Sequence, residues 1–183
     1  PIGTMFGNSH EIVECIDCLK GKGPEDTMEL VYSQAGALGY DIRTAIADGS
    51  ALNEFKEMCI RQGVDSQITE VLIQEPWKVL PRANTFVEFK SEESGWISKI
   101  DALEIGQTLC NLGAGRTGLE SQIDHGIGAE LLVGVGEEIK AGTAWIRFEV
   151  NSEIDSSTAE RISNSIQISG SKVTKNSRIL KII

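Results

Sequence analysis

The sequence predicts an α+β fold in two parts, a helical amino-terminal portion over residues 1–80 and an α+β carboxy-terminal domain over residues 81–183. Helical punctuation dominates the first part, and Pro76 and Pro81 mark a change of texture. Beyond them, short apolar runs bounded by turn residues alternate with two helical patterns.

Ile12, Ile16 and Leu19 recur at helical spacing until Gly21-Lys22-Gly23 interrupts them. Pro24 suits a first helical position, and Glu25 and Asp26 suit the positive end of a helix dipole. That helix runs to about Leu38 and offers Met28, Val31, Ala35 and Leu38 as its buried stripe, with Gly39 able to end it. A short helical segment near Ile42–Ala47 precedes the turn Asp48-Gly49-Ser50. Ser50 then caps a helix carrying Leu52, Phe55 and Cys59, which Gly63 stops.

In the second part, Phe86–Phe89 and Trp96–Ile100 read as strands separated by a Glu-Glu-Ser-Gly turn. Asp101 and Glu104 stand in capping-box spacing before Ile105, Leu109 and Leu112. Leu131–Val135 and Trp145–Val150 are two further apolar strands, joined by the polar segment Gly136–Gly142. A last helix over roughly Ser156–Ile168 leads to a closing stretch rich in Ile, Val and Lys.

Composition narrows the function classes. Lys+Arg number 17 and Asp+Glu 27, a formal charge of −10, and basic residues cluster only in short stretches such as Lys172–Lys181. Nucleic acid is therefore not an expected partner. Apolar runs such as Ala129–Val133 are strand-sized, far from the roughly 20 residues of a membrane span, so no membrane partner is expected. Four cysteines without a signal-like amino end fit free thiols in a cytoplasmic setting. The chain opens at Pro1 and runs at once into Ile2, Met5 and Phe6, as a piece of a longer polypeptide would.

No motif supplies a reaction centre. Cys15 and Cys18 sit mid-helix without the further ligands of a zinc site or the helix amino end of a redox dithiol, so they read as packing. Gly113–Gly118 has the glycine spacing of a dinucleotide fingerprint but follows a helix and precedes strands, the reverse of what pyrophosphate binding needs. His10 and His125 have no ready catalytic companions and read as structural residues.

Several stretches together carry a family resemblance. They include Glu11-Ile12-Val13-Glu14, Leu19-Lys20-Gly21, Gly23-Pro24-Glu25-Asp26, Asp48–Leu52, Gln62–Asp65, Leu80-Pro81-Arg82-Ala83, Leu112–Arg116 and Gly128–Val133. In this order they resemble the carboxy-terminal part of the thymidine phosphorylase and pyrimidine-nucleoside phosphorylase family, over roughly residues 1–150. The last stretch looks closer to animal thymidine phosphorylases than to bacterial relatives. The resemblance implies that residues 1–80 are a helical remnant of the family's large α/β domain. It implies reversible phosphorolysis of thymidine to thymine and 2-deoxy-α-D-ribose 1-phosphate in a homodimer. The family's phosphate and pyrimidine donors, a Lys-x-Ser loop and an Arg, Ser and Lys set, lie upstream of the segment matching Pro1-Ile2-Gly3. No catalytic or substrate-binding residue is therefore carried over, and the chain alone is expected to be inactive. One site crosses over: the carbonyls of Ile2 and Met5 and the carboxylate of Glu14 match ligands of a potassium site in the bacterial enzymes, although Glu14 reads equally as a solvated helix residue.

The order apolar strand, Val-Gly-Glu-Glu-Ile-Lys-Ala-Gly, apolar strand over Gly128–Val150 also resembles half of a biotinyl or lipoyl carrier domain. The carboxy-terminal domain is accordingly expected to be α/β-hammerhead or barrel-sandwich-like. Lys140 sits where such carriers have an ordinary turn, which argues against its modification. The alternative to an enzyme portion is a non-catalytic binding or scaffold module.

Overall fold

The computed structural model describes residues 1–118 and 121–179, so the end of the closing Ile- and Lys-rich stretch, 180–183, lies outside the described residues. The chain divides into two compact units. One gathers Pro1, Gly3–Glu11 and Pro81–Asn176, and the other Ile2, Ile12–Leu80 and residues 177–179.

The second unit is helical. It takes in most of α1 (Asn8–Leu19), then α2 (Glu25–Ala37), α3 (Ile42–Ala47), α4 (Ser50–Arg61), α5 (Ser66–Gln74) and a single tight turn at Pro76–Lys78. Asp41 and Asp65 begin α3 and α5, each carboxylate accepting two backbone N–H groups of the first turn. The Lys20 ammonium donates to the Ile73 carbonyl at 2.6 Å, tying the end of α1 to that of α5. A Lys56–Glu70 ion pair joins α4 to α5. Two local expectations change. Pro24 is the residue before α2 rather than its first, and Ser50 opens α4 by donating its own N–H to Asp48 while Gly49 takes the left-handed conformation of the cap. Of the expected α2 stripe only Met28 is buried, and Leu38 is 74% exposed.

The first unit holds two sheets, every strand pair in them antiparallel. One runs β1 (Met5–Phe6), β4 (Gly128–Leu131), β6 (Ala144–Val150), β2 (Thr85–Lys90); the other runs β5 (Glu138–Ile139), β3 (Gly95–Ile100), β7 (Ile166–Ser169). Register sorts the larger sheet by the two-residue period of a strand. The row Phe6, Ala129, Phe148, Val87 belongs to the hydrophobic core, joined there by Ile97, Ile105 and Leu109. The intervening rows, Met5–Glu130–Arg147–Glu88 and Gly128–Glu149–Phe86, lie on the opposite face. Two helices complete the unit. α6 (Ala102–Leu109) is capped by the Asp101 carboxylate, and α7 (Ser156–Ser163) contributes Ile162 to the core.

Among the described residues, no strand pairing joins the two sheets or closes either one. This overturns the α/β-hammerhead, barrel-sandwich-like expectation: the domain is α+β with two open sheets. The reason lies at the turn that separates β2 from β3. Those strands do not pair with each other; β2 pairs with β6, and β3 with β5 and β7. Ser91 exchanges backbone hydrogen bonds with the 142–143 turn, its N–H donating to the Thr143 carbonyl at 2.9 Å and its carbonyl accepting from Gly142 at 2.8 Å. Its hydroxyl also bonds the Glu93 backbone, so the chain passes from one sheet to the other instead of turning back. The segment before β6 likewise yields β5 to the smaller sheet, and α7 ends at Ser163 because β7 takes the residues that follow.

On α6 the buried Thr108 hydroxyl has no hydrogen-bond partner among the described residues. Exchanging it for a methyl removes an uncompensated desolvation cost, so Thr108→Val is expected to leave stability unchanged or raise it by up to about 1 kcal/mol. Urea midpoints of the two proteins measure this, and a clear loss would show that the hydroxyl is satisfied.

Candidate functional site: a buried charge cluster on the sheet

The most tightly constrained polar group lies on the face of the larger sheet away from the core. Glu149, on the central strand β6, is 2% exposed although its neighbours in sequence are the apolar Phe148 and Val150. Arg82, in the segment leading into β2, grips it bidentately, Nε to Oε2 at 2.8 Å and Nη2 to Oε1 at 2.7 Å. The guanidinium lies 4.8 Å from the centre of the Phe86 ring, a neighbour of Glu149 in the same cross-strand row. From the other side, Nε2 of the buried His10 stands 3.4 Å from Oε2.

Backbone detail makes room for this arrangement. Gly128 is the residue of β4 paired with Glu149, and a Cβ there would lie 2.1 Å from Nδ1 of His10; the missing side chain is the hollow that the imidazole fills. Gly126 abuts the Arg82 backbone in the same way, and the Ala83 N–H donates to its carbonyl at 3.1 Å. Asp124 fixes this approach, accepting from the Gly126 N–H at 2.9 Å and from the Asn151 amide at 2.7 Å. On the next row, Arg147 bridges Glu88 at 2.9 Å and Glu130 at 3.5 Å.

Burial by itself would raise the Glu149 pKa. The hydrogen bonds from Arg82 and His10 and the charge of both partners outweigh it, and bring the carboxyl down to about 2 from an ordinary 4.5. The Arg82–Glu149 pair thus engages both carboxylate oxygens, with the His10 imidazole packed beside it. The cluster offers no nucleophile, and its only cation with exposed surface, Arg82, already spends its fork on Glu149. Its chemistry is to hold three chain segments together.

The sequence-predicted residues are placed as follows. Met5 is in β1, opposite Glu130. Ile2, which is exposed, and Glu14, half-buried on α1, fall in the second unit and Met5 in the first. His125 is exposed, while its carbonyl accepts the Ser9 N–H at 3.3 Å. Burial, reinforced by Glu14, raises the pKa of both Cys15 and Cys18, that of Cys18 to about 11, so these thiols stay protonated at neutral pH. Gly113–Gly118 follows α6 through a wide helical turn at Cys110–Ala114, without the strand before it that a dinucleotide site requires. Lys140 is exposed in the turn between β5 and β6. Among the described residues, no three His, Cys, Asp or Glu side chains gather as a metal-binding group, and no helix is long and apolar enough to cross a membrane.

Comparison with known proteins adds the family. The pyrimidine nucleoside phosphorylase C-terminal domain matches residues 96–169, the stretch from β3 to β7. Pyrimidine-nucleoside phosphorylase of Geobacillus stearothermophilus is 34% identical, the similarity covering 94% of this chain and 42% of that protein. A Staphylococcus epidermidis pyrimidine-nucleoside phosphorylase is 37% identical over 92% of this chain and 41% of its own length. Human thymidine phosphorylase is 34% identical over 80% and 34% respectively. The carboxy-terminal domain thus matches the pyrimidine- and thymidine-nucleoside phosphorylase family, and these identities single out no one enzyme, animal or bacterial. The chain spans about two fifths of the length of the first two relatives.

Two outcomes follow for the cluster. Arg82→Met leaves a buried carboxylate without its main counter-charge and is expected to cost about 3–5 kcal/mol in urea unfolding; a loss below 1 kcal/mol would show the pair to be dispensable. Because the folded Glu149 pKa lies below its ordinary value, the stability it contributes is complete above about pH 4.5 and is lost as pH falls toward about 2. Glu149→Gln should therefore have a flatter stability profile across that window, and parallel profiles would contradict the assignment.

Proposed function

We propose that this chain is part of a pyrimidine-nucleoside phosphorylase that cleaves thymidine reversibly with phosphate to thymine and 2-deoxy-α-D-ribose 1-phosphate, and that within it the chain is framework. The observation that carries this reading is the 34% identity to the Geobacillus enzyme along 94% of the chain. The reaction breaks an N-glycosidic bond through a cation-like sugar while an anionic phosphate attacks, so its catalysts are donors that place the two reactants and stabilise the developing charge. The resemblance to the family puts the Lys-x-Ser phosphate loop and the pyrimidine-binding Arg, Ser and Lys set upstream of the segment matching Pro1-Ile2-Gly3, and the polar cluster around Glu149 has both carboxylate oxygens engaged by Arg82. Those donors then belong to the part of the enzyme outside this chain. The working enzyme is a cytoplasmic homodimer, with a domain boundary near residue 80.

Two backbone carbonyls, of Ile2 and Met5, and the Glu14 carboxylate are hard oxygen donors, and a single negative charge among them suits a monovalent cation. In the complete enzyme these three would contribute to a potassium site whose remaining ligands come from elsewhere. The ion would supply fixed positive charge and order the backbone around it.

The chain alone should release no thymine from thymidine and phosphate above background. Combined with the portion of the Geobacillus enzyme that it does not cover, it should restore phosphate-dependent release. Failure to do so with both pieces folded would favour a scaffold module. In the restored enzyme, replacing potassium by tetramethylammonium should slow thymine release, and Glu14→Gln should abolish that difference; equal rates in both salts would contradict the ion site.

A further inference from the structure

We propose that Gly3–Glu11 is a strap, latched onto the larger sheet by His10 and able to open locally while the rest of its unit stays folded. This inference stands on the geometry of the first unit and is independent of the phosphorolysis reading.

Identifiable contacts hold the strap to the sheet. Its strand part, β1, is two residues long and lies at the sheet edge against β4. Backbone bonds beyond that ladder run from the Leu131 N–H to the Thr4 carbonyl at 2.8 Å and from the Ser9 N–H to the His125 carbonyl at 3.3 Å. Gly7 turns the chain, with a positive φ of 108° and so close an approach that a Cβ would meet the Ile127 carbonyl at 2.6 Å. The Asn8 amide donates to the Ala114 carbonyl at 2.9 Å. Phe6 packs against the core only partly buried. What closes the assembly is the imidazole of His10, seated in the Gly128 hollow against Glu149.

The sheet beneath needs none of this to persist. β2, β6 and β4 pair along their lengths, and Arg82 satisfies both Glu149 oxygens without help from the strap. A short edge strand lying on a ladder of longer strands, anchored beyond it by the buried Ser9 and His10, has the makings of a separate opening unit. Lifting it exposes Glu149 to water still paired with Arg82, a far smaller loss than unfolding the core.

Amide hydrogen exchange on the intact chain tests the latch. In the unaltered protein, the amides of Ser9 and Leu131, whose bonds cross between strap and sheet, should exchange together and faster than those of the β2–β6 ladder. His10→Ala empties the hollow, and Gly128→Ala fills it with a methyl and evicts the ring; both remove the imidazole from beside Glu149 and leave its bidentate hydrogen bonds with Arg82. Each should speed exchange at the two reporter amides by about tenfold or more while leaving the β2–β6 amides within about twofold of their original rates. Equal acceleration throughout the unit would overturn the proposal by showing that strap and sheet open as one. No acceleration would overturn it by showing that His10 is not the latch. Should both variants fail to fold, the unaltered chain still decides: reporter amides that exchange no faster than the β2–β6 ladder contradict a separable strap.

Discussion

A carboxylate cannot remain charged inside a protein unless opposite charge and hydrogen bonds replace the water it has lost, and Glu149 imposes that condition on the whole first unit. Arg82 must arrive with its planar fork aligned, which fixes the approach to β2. Gly128 must lack a side chain so that His10 can reach the same carboxylate, which brings the beginning of α1 onto a sheet otherwise built from residues far along the chain. Asp124 and Asn151 hold the backbone that makes this close packing possible. One buried charge thereby specifies where three distant segments meet.

The two-residue period of the sheet explains why this happens on only one face. Phe6, Ala129, Phe148 and Val87 fill the core row, and the adjoining rows carry Glu130, Arg147 and Glu88 in alternating sign, then Gly128, Glu149 and Phe86. A register slip of one residue would drive those charges into the core and expose the apolar row, so the charged rows reinforce the pairing that the apolar one sets. On the same face Arg82 and Arg147 are both committed to carboxylates, three in all, which suits holding the sheet together better than gripping an anionic reactant.

Much of this was legible in the sequence where the signal is local. The Gly21–Gly23 break, the Asp101 cap and the apolar alternation in Trp145–Val150 each depend on neighbours a few residues away, and each appears where expected. Signals that depend on distant partners were not legible. Met5–Phe6 is too short to announce itself as a strand and becomes one only by pairing with β4. Helix α5 is the exception, a local signal in the Asp65 cap that the expectations for residues 1–80 do not include, whereas the chain's passage between sheets after β2 follows from pairing with residues 142–143. Arg82 and Glu149 lie 67 residues apart. The available clue was an acidic residue set in an apolar strand, with a lone glycine in the strand that proves to pair beside it. In α2, helical spacing correctly marked an apolar stripe, but within this chain only Met28 finds cover.

The account comes down to Arg82 and Glu149 acting as one desolvated pair. A double-mutant cycle with Arg82→Met and Glu149→Gln measures that coupling by urea unfolding at neutral pH. The two single changes should each destabilise the protein severely, while the double variant, with no buried charge left unmatched, should recover about 2–3 kcal/mol relative to their sum. Additive losses would contradict the account, since they would mean that each side chain contributes without regard to the other.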